Sequence, residues 1–188
     1  MKAFLLTILT LALCCQAAFA QKTNADWRAG VAKAVITPDQ PVWMAGYGSR
    51  TKPSEGTSQE LYAKALALQD NRGKRVVIVT TDILGIPREM GDAIASGVAQ
   101  KYKLTRANLV LTSTHPHTGP VPHRNLEGAY FLDEQQAAAV KRNTARMTEK
   151  IIAVVGEALR ELQPATLSFG RGAAHFGINR RVNRDGRF

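Results

Sequence analysis

Cysteine is confined to the first stretch of this chain: Cys14 and Cys15 are the two in the sequence, and both lie in an apolar N-terminal run. If that run is removed, disulfide cross-links, thiolate ligands and a cysteine nucleophile are all excluded. Any metal must then be held by His, Asp, Glu or Tyr. The chain also lacks a second long apolar run, so nothing after Leu13 is suited to cross a membrane. It has no internal repeat, low-complexity tract or interdomain linker, and its length fits one domain with a real core.

The N-terminus opens with Met1-Lys2, continues through the apolar run Ala3 to Leu13 and closes on Ala18-Phe19-Ala20. A charged start, a short apolar core and an A-x-A exit make a secretory signal peptide. Residues 1–20 are therefore read as a leader and residues 21–188 as the mature domain, with a secreted or periplasmic location. A retained membrane helix is the plainer alternative, but the run is short for a span. A lipid anchor on Cys14 or Cys15 is disfavoured by the large Leu13.

Acidic residues are few beside basic ones, 15 against 25, which leaves a formal charge of +10. Such a balance can attract nucleic acid through its phosphates. The distribution argues otherwise, because the basic residues are scattered and the one cluster, Arg171 to Arg187, carries no nucleic-acid motif. No nucleic-acid partner is expected. Peripheral contact with an anionic membrane surface suits an exported basic protein better.

Alternation and turn residues predict strands over 29–37, 61–69 and 75–81, the last two joined by the tight turn Asp70-Asn71-Arg72-Gly73. Val76 to Val79 is apolar at successive positions and reads as buried on both faces. Pro87 suits a first helical position, and Met90, Ile94 and Val98 recur every four residues, predicting a helix over 87–102. Asp133 with Gln136 forms a capping box for a long helix whose stripe includes Ala137, Val140, Met147, Ile151, Val154, Ala158 and Leu162, ended by Pro164. A further strand is expected over 166–169. The fold class is α/β, a mixed and mainly parallel sheet with packing helices.

The most informative stretch is Leu109 to Pro120, where an apolar strand runs into His115-Pro116-His117-Thr118-Gly119-Pro120. Side chains two apart on an extended strand share a side, so both imidazoles are expected to face one pocket at the strand's end. Pro116 disfavours helix at His115. Asp82 ends the strand before the crossover helix and is expected at the same sheet edge, where open α/β sheets hold their sites. Three roles are open to it: ligand, partner of a histidine, or helix cap, with the cap favoured on residues alone.

A catalytic zinc takes three protein ligands and a water, and an H-x-H pair supplies at most two of the three. Ordinary loop histidines remain the competing reading of the pair. His123 and His175, each alone, read as structural or solvated. The Trp43-Met44-Ala45-Gly46-Tyr47-Gly48 segment offers a wall or a glycine loop over core aromatics, and 49–59 reads as a mobile loop. Arg180 and Arg181 could donate to an anionic transition state, although a solvated basic tail is the simpler reading.

Several segments together resemble the N-terminal domain of the neutral/alkaline, non-lysosomal ceramidase family. They are Ala29-Gly30-Val31 through Ile36-Thr37-Pro38, Met44 to Gly48, Leu61 to Ala65, Val76 to Asp82, Thr114 to Pro120, and Asn179-Arg180-Arg181. The T-H-x-H-[ST]-G-P element is the most specific. The resemblance implies a zinc-dependent hydrolase that splits the amide of ceramide into sphingosine and a fatty acid. It makes His115 a zinc ligand, His117 a catalytic histidine and Arg180 a catalytic-site arginine that contacts the substrate's polar head. Family members take their remaining ligands, a histidine and then Glu and Tyr, from later sequence. The chain by itself is therefore expected neither to complete the Zn2+ site nor to turn over. Pro116 departs from the polar residue usual between the two histidines.

Two other readings stay open from the sequence. One is a hydrolase of the same fold acting on another amide or an ester, since fold does not fix substrate. The other is a non-enzymatic, exported basic binding module.

Overall fold

The computed structural model describes residues 26–177. Residues 1–20, read from the sequence as a leader, and Arg180 lie outside the described residues. Five strands and two helices follow one another as β1 Trp27–Val35, β2 Tyr62–Asp70, β3 Arg75–Thr81, α1 Arg88–Tyr102, β4 Leu109–Ser113, α2 Glu134–Arg160 and β5 Gln163–Ala165. The sheet order is β4-β3-β2-β1-β5.

The sheet is mixed, as expected, but mostly antiparallel rather than mainly parallel. Only β3 and β4 run parallel, while β1–β2, β2–β3 and β1–β5 are antiparallel. The reason is local. The Asp70–Gly73 turn folds β3 straight back along β2, with Asp70 Oδ1 accepting from the Arg72 and Lys74 amides and Gly73 at φ +79°. A parallel pair needs a crossover, and the described chain makes one, through α1.

Both helices build a core on one face of the sheet. Ala63, Ala65, Ala67, Val77, Val79 and Leu109 from the strands meet Met90, Ile94 and Val98 of α1 and Met147, Ile151, Val154, Val155 and Ala158 of α2. The run of alanines on β2 lets α2 lie close. The opposite face carries Val31, Val35 and Val110, all exposed, among Lys33 and Lys64. Val76 and Ile78 consequently sit half-buried, so β3 is covered fully on one face only, contrary to the sequence expectation.

Helix α2 begins as expected, with both halves of the Asp133–Gln136 capping box in place. Ala137 is exposed, one turn ahead of the buried stripe, which also takes in Asn143 and Thr144. The helix ends at Arg160, before Pro164 is reached. Pro164 instead lies in β5 opposite Arg28, and the strand expected over 166–169 is absent there. An edge strand accommodates proline because one side of it has no ladder to supply. Pro87 is the N-cap of α1 rather than its first helical residue, at φ −66° and ψ 156°.

A second cluster, Val42, Trp43, Ala45, Leu84, Val121, Tyr130 and Val140, binds the long loops to the start of α2. Among the described residues no helix is long and apolar enough to cross a membrane.

Candidate active site

The parallel pair brings the ends of β3 and β4 to one edge, and the chain beyond each end is knitted to the other. The Thr114 amide donates to Thr81 O, and the His115 amide to Ile83 O. Asp82 accepts the Tyr62 amide on Oδ2 and the Thr114 hydroxyl on Oδ1, each at 2.9 Å. Its two oxygens thus tie the start of β2 to the histidine segment. Asp82 is no helix cap, because Pro87 holds that position and α1 has no side-chain cap.

His115 departs from the extended geometry expected of it. Its φ is +60°, in the left-handed region, which costs a residue with a Cβ of order 1–3 kcal/mol. The surrounding bonds hold it there. Its amide is fixed on Ile83 O, and its ring Nδ1 lies 2.5 Å from Leu84 O. A backbone carbonyl only accepts, so that contact places a proton on Nδ1, and in the neutral ring this leaves the lone pair on Nε2. Metal-binding histidines are oriented by the same kind of carbonyl partner.

The two imidazoles nevertheless meet, edge to face with centroids 5.1 Å apart. On its other side His117 meets the Tyr47 ring edge-on at 4.9 Å. Gly46 lies under it at φ +102°, and a Cβ there would stand 2.5 Å from His117 Cγ and 2.6 Å from its Cβ. Glycine is required at that point on both counts. Gly46→Ala is expected to lower stability by about 2 kcal/mol and to push the His117 ring off Tyr47. Thermal melting and the ring-to-ring nuclear Overhauser contact measure the two effects.

The Trp43–Arg50 stretch is laced to the segment after His117. Ala45 donates to Gly119 O, Val121 donates to Trp43 O, and Met44 bridges Pro120. The Gly46 amide donates to the Tyr130 hydroxyl at 3.0 Å, and Arg50 Nη2 to His117 O at 2.6 Å. Trp43 is buried, whereas Tyr47 is half-exposed beside the histidines. The glycine segment is thus both core and wall.

A cleft of about 970 Å³ adjoins the same strap. Thr114, Pro116, Thr118 and Pro120 line it together with Asp39, Glu60 and Asp82, whereas neither His115 nor His117 does. Neither imidazole lines this cleft, although the sequence pattern leads one to expect both to face one pocket at the strand's end. Ser54 to Gln59 of the 49–59 loop also line the cleft.

Among the described residues no third His, Cys, Asp or Glu joins the pair in a group able to hold a metal. His123 is placed elsewhere, its amide donating to Thr144 Oγ1, and His175 lies in the exposed chain after β5. Arg50, the Leu84 carbonyl and the Tyr130 hydroxyl are the site groups that sequence reasoning missed. Their partners lie 31 to 84 residues away, and no local motif marks them.

Residues 27–184 match the family model described as neutral/alkaline non-lysosomal ceramidase, N-terminal. The chain belongs to that family. Neutral ceramidase of Pseudomonas aeruginosa is 26% identical over 176 residues, which are 90% of this chain and 26% of the relative. Those of Drosophila pseudoobscura pseudoobscura and Drosophila melanogaster are 28% and 26% identical over 102 residues, 52% of this chain and 14% of theirs. This ceramidase-family chain thus spans about a quarter or less of these relatives. Its fold matches the solved "Ceramidase complexed with C2" with a TM-score of 0.63 and the crystal structure of neutral ceramidase from Pseudomonas aeruginosa with 0.60. Each match is 24% identical and covers 75% of this chain and 22% of the other.

Proposed function

We propose that this chain forms the histidine-bearing part of a zinc-dependent amidohydrolase that cleaves the N-acyl amide of ceramide, releasing sphingosine and a fatty acid. The observation that carries the reading is His115. Its ring is pinned through Nδ1 to the Leu84 carbonyl, it offers Nε2, and it stands at the end of the parallel strand pair beside a second imidazole.

The donor chemistry fits zinc, since a neutral imidazole with an outer carbonyl partner is a common ligand. A bound zinc supplies Lewis-acid polarisation of the amide carbonyl and lowers the pKa of a water. His115 would hold the metal through Nε2. His117, packed between His115 and Tyr47, hydrogen-bonds the reacting group and moves a proton at its ring nitrogen. Arg180, outside the described residues, contacts the polar head of the substrate. The remaining ligands come from sequence outside this chain, and the chain alone is inactive.

In the same reading residues 1–20 are cleaved on export, residues 21–188 form the N-terminal part of the catalytic domain, and the protein works outside the cytoplasm at a membrane surface where its lipid substrate lies. The basic charge of the chain supports that contact.

The test uses the longest natural form of the protein that contains this chain. Given an N-acyl sphingoid lipid, it is expected to release fatty acid, to stop after chelation and to recover with added zinc. Hydrolysis indifferent to chelator would overturn the metal mechanism. Release from esters or other amides with no release from ceramide would overturn the substrate.

A further inference from the structure

The strap between 43–50 and 117–121 is a short antiparallel ladder. In it Trp43 faces Val121, Met44 faces Pro120 and Ala45 faces Gly119. In an antiparallel pair every second position is a hydrogen-bonded one, so the next rung would run from the Tyr47 amide to the His117 carbonyl. It does not form. Gly46, at φ +102°, turns the chain away one residue before that rung.

The acceptor is not left empty. Arg50 Nη2 donates to His117 O at 2.6 Å, and the guanidinium lies over the Tyr47 ring at 5.4 Å. The Arg50 amide also closes a turn on Tyr47 O at 3.4 Å. One side chain thus grips the peptide of His117 and backs the aromatic ring that His117 leans on. Arg50 Nε is buried with no partner of its own, so the guanidinium is held in place at some cost.

We propose that Arg50 is the positioning residue of His117, standing in for the missing backbone rung. The exchange has a purpose. A Tyr47 amide on that rung would keep the two segments in a flat ladder, whose side chains stand off the sheet. With Arg50 in its place the Tyr47 ring is free to close on the His117 ring, and the imidazole is fixed from its peptide and from its edge. A charged donor also bonds a carbonyl more strongly than an amide does. The catalytic consequence rests on the hydrolase reading above. A small misplacement of a reacting group costs on the order of 100-fold in rate.

The full chain, isotopically labelled, tests the assignment by nuclear magnetic resonance without reference to activity. In the unmodified protein the Nη protons of Arg50, assigned through its own side-chain carbons and so told apart from those of Arg146, are expected to exchange slowly with water, and an Overhauser contact is expected between the Tyr47 and His117 rings. Arg50→Met keeps the stem and removes the donor. It is expected to lose the ring contact and shift the His117 carbonyl carbon while the amide spectrum of β1 to β4 stays in place. Arg50→Lys is expected to retain part of the contact. In the active protein Arg50→Met should lower kcat about 100-fold with KM within about twofold, and Arg50→Lys should recover part of the loss. An unmoved ring contact and carbonyl shift in a folded Arg50→Met variant would overturn the proposal. So would Arg50 Nη protons exchanging as fast as free arginine in the unmodified protein, a measurement that needs no variant to fold. Absence of hydrolysis by the longest natural form of the protein that contains this chain would overturn the proposed reaction and leave these two measurements to decide Arg50.

Discussion

Gly30→Ala is expected to cost about 3 kcal/mol and to lower the melting temperature by roughly 10 °C, the largest loss for any glycine-to-alanine change among the described residues. Gly30 is buried in the middle of β1, opposite Ala67 of β2. A Cβ there would overlap the Ala158 carbonyl oxygen of α2 and come within 2.8 Å of the Glu161 carbonyl carbon and 2.9 Å of the Leu162 amide nitrogen. These are backbone atoms, so no rotamer change relieves the overlap. The helix end must rise from the sheet, which loosens the close packing of Ala158 and the pairing of β5 with β1. Gly170→Ala is the matched control, since nothing lies within 4 Å of a Cβ at that position. Equal melting temperatures for the two variants would mean that α2 does not cross β1 as described.

Much of this architecture is legible from residue patterns because it is local. The Asp70–Gly73 turn, the Met90-Ile94-Val98 stripe and the capping box at Asp133 each need only neighbours a few residues apart, and each is where the pattern puts it. Strand direction is different. Hydrophobic alternation reports which residues face the core but not which way a strand runs against a partner 30 residues distant. The β3-α1-β4 crossover can be inferred as parallel, whereas β1 and β5 find their partners only through the whole fold. Pro164 illustrates the same limit. Read from sequence as the end of the long helix, it lies beyond that end, and its place in an edge strand depends on Arg28 and the end of α2.

The histidine pair shows how a correct pairing can come from the wrong geometry. Alternation predicts that His115 and His117 share a side, and their rings do meet. Yet His115 is left-handed, not extended. Pro116 acts against the right-handed helical region at the preceding residue and does not dictate what replaces it. The choice is made by the bonds to Ile83 and Leu84, 31 or more residues earlier in sequence. Arg50 and Tyr130 are illegible for the same reason. Nothing in their own neighbourhoods distinguishes them from a loop cation and a core aromatic.

His115→Ala is expected to remove zinc from the longest natural form of the protein, from about one ion per molecule to under a tenth, as deletion of a direct ligand does. His117→Ala is expected to keep the metal and to lower kcat by about 100- to 10,000-fold, the range for loss of a positioned acid or base. The contrast between the two separates the roles, because the rings touch and a merely disruptive change at either would affect both properties together. The fold should survive both substitutions, as His115 is exposed and His117 only half-buried. Alanine keeps the Cβ and with it the left-handed backbone, and the side chain it trims is exposed, so the variant should melt no more than a few degrees below the parent protein. Elemental analysis gives the zinc count and fatty-acid release gives the rate. Zinc retained by His115→Ala would remove that residue from the metal site. Zinc lost from His117→Ala as fully as from His115→Ala would make both imidazoles ligands, and the proton-moving role would then fall to another group.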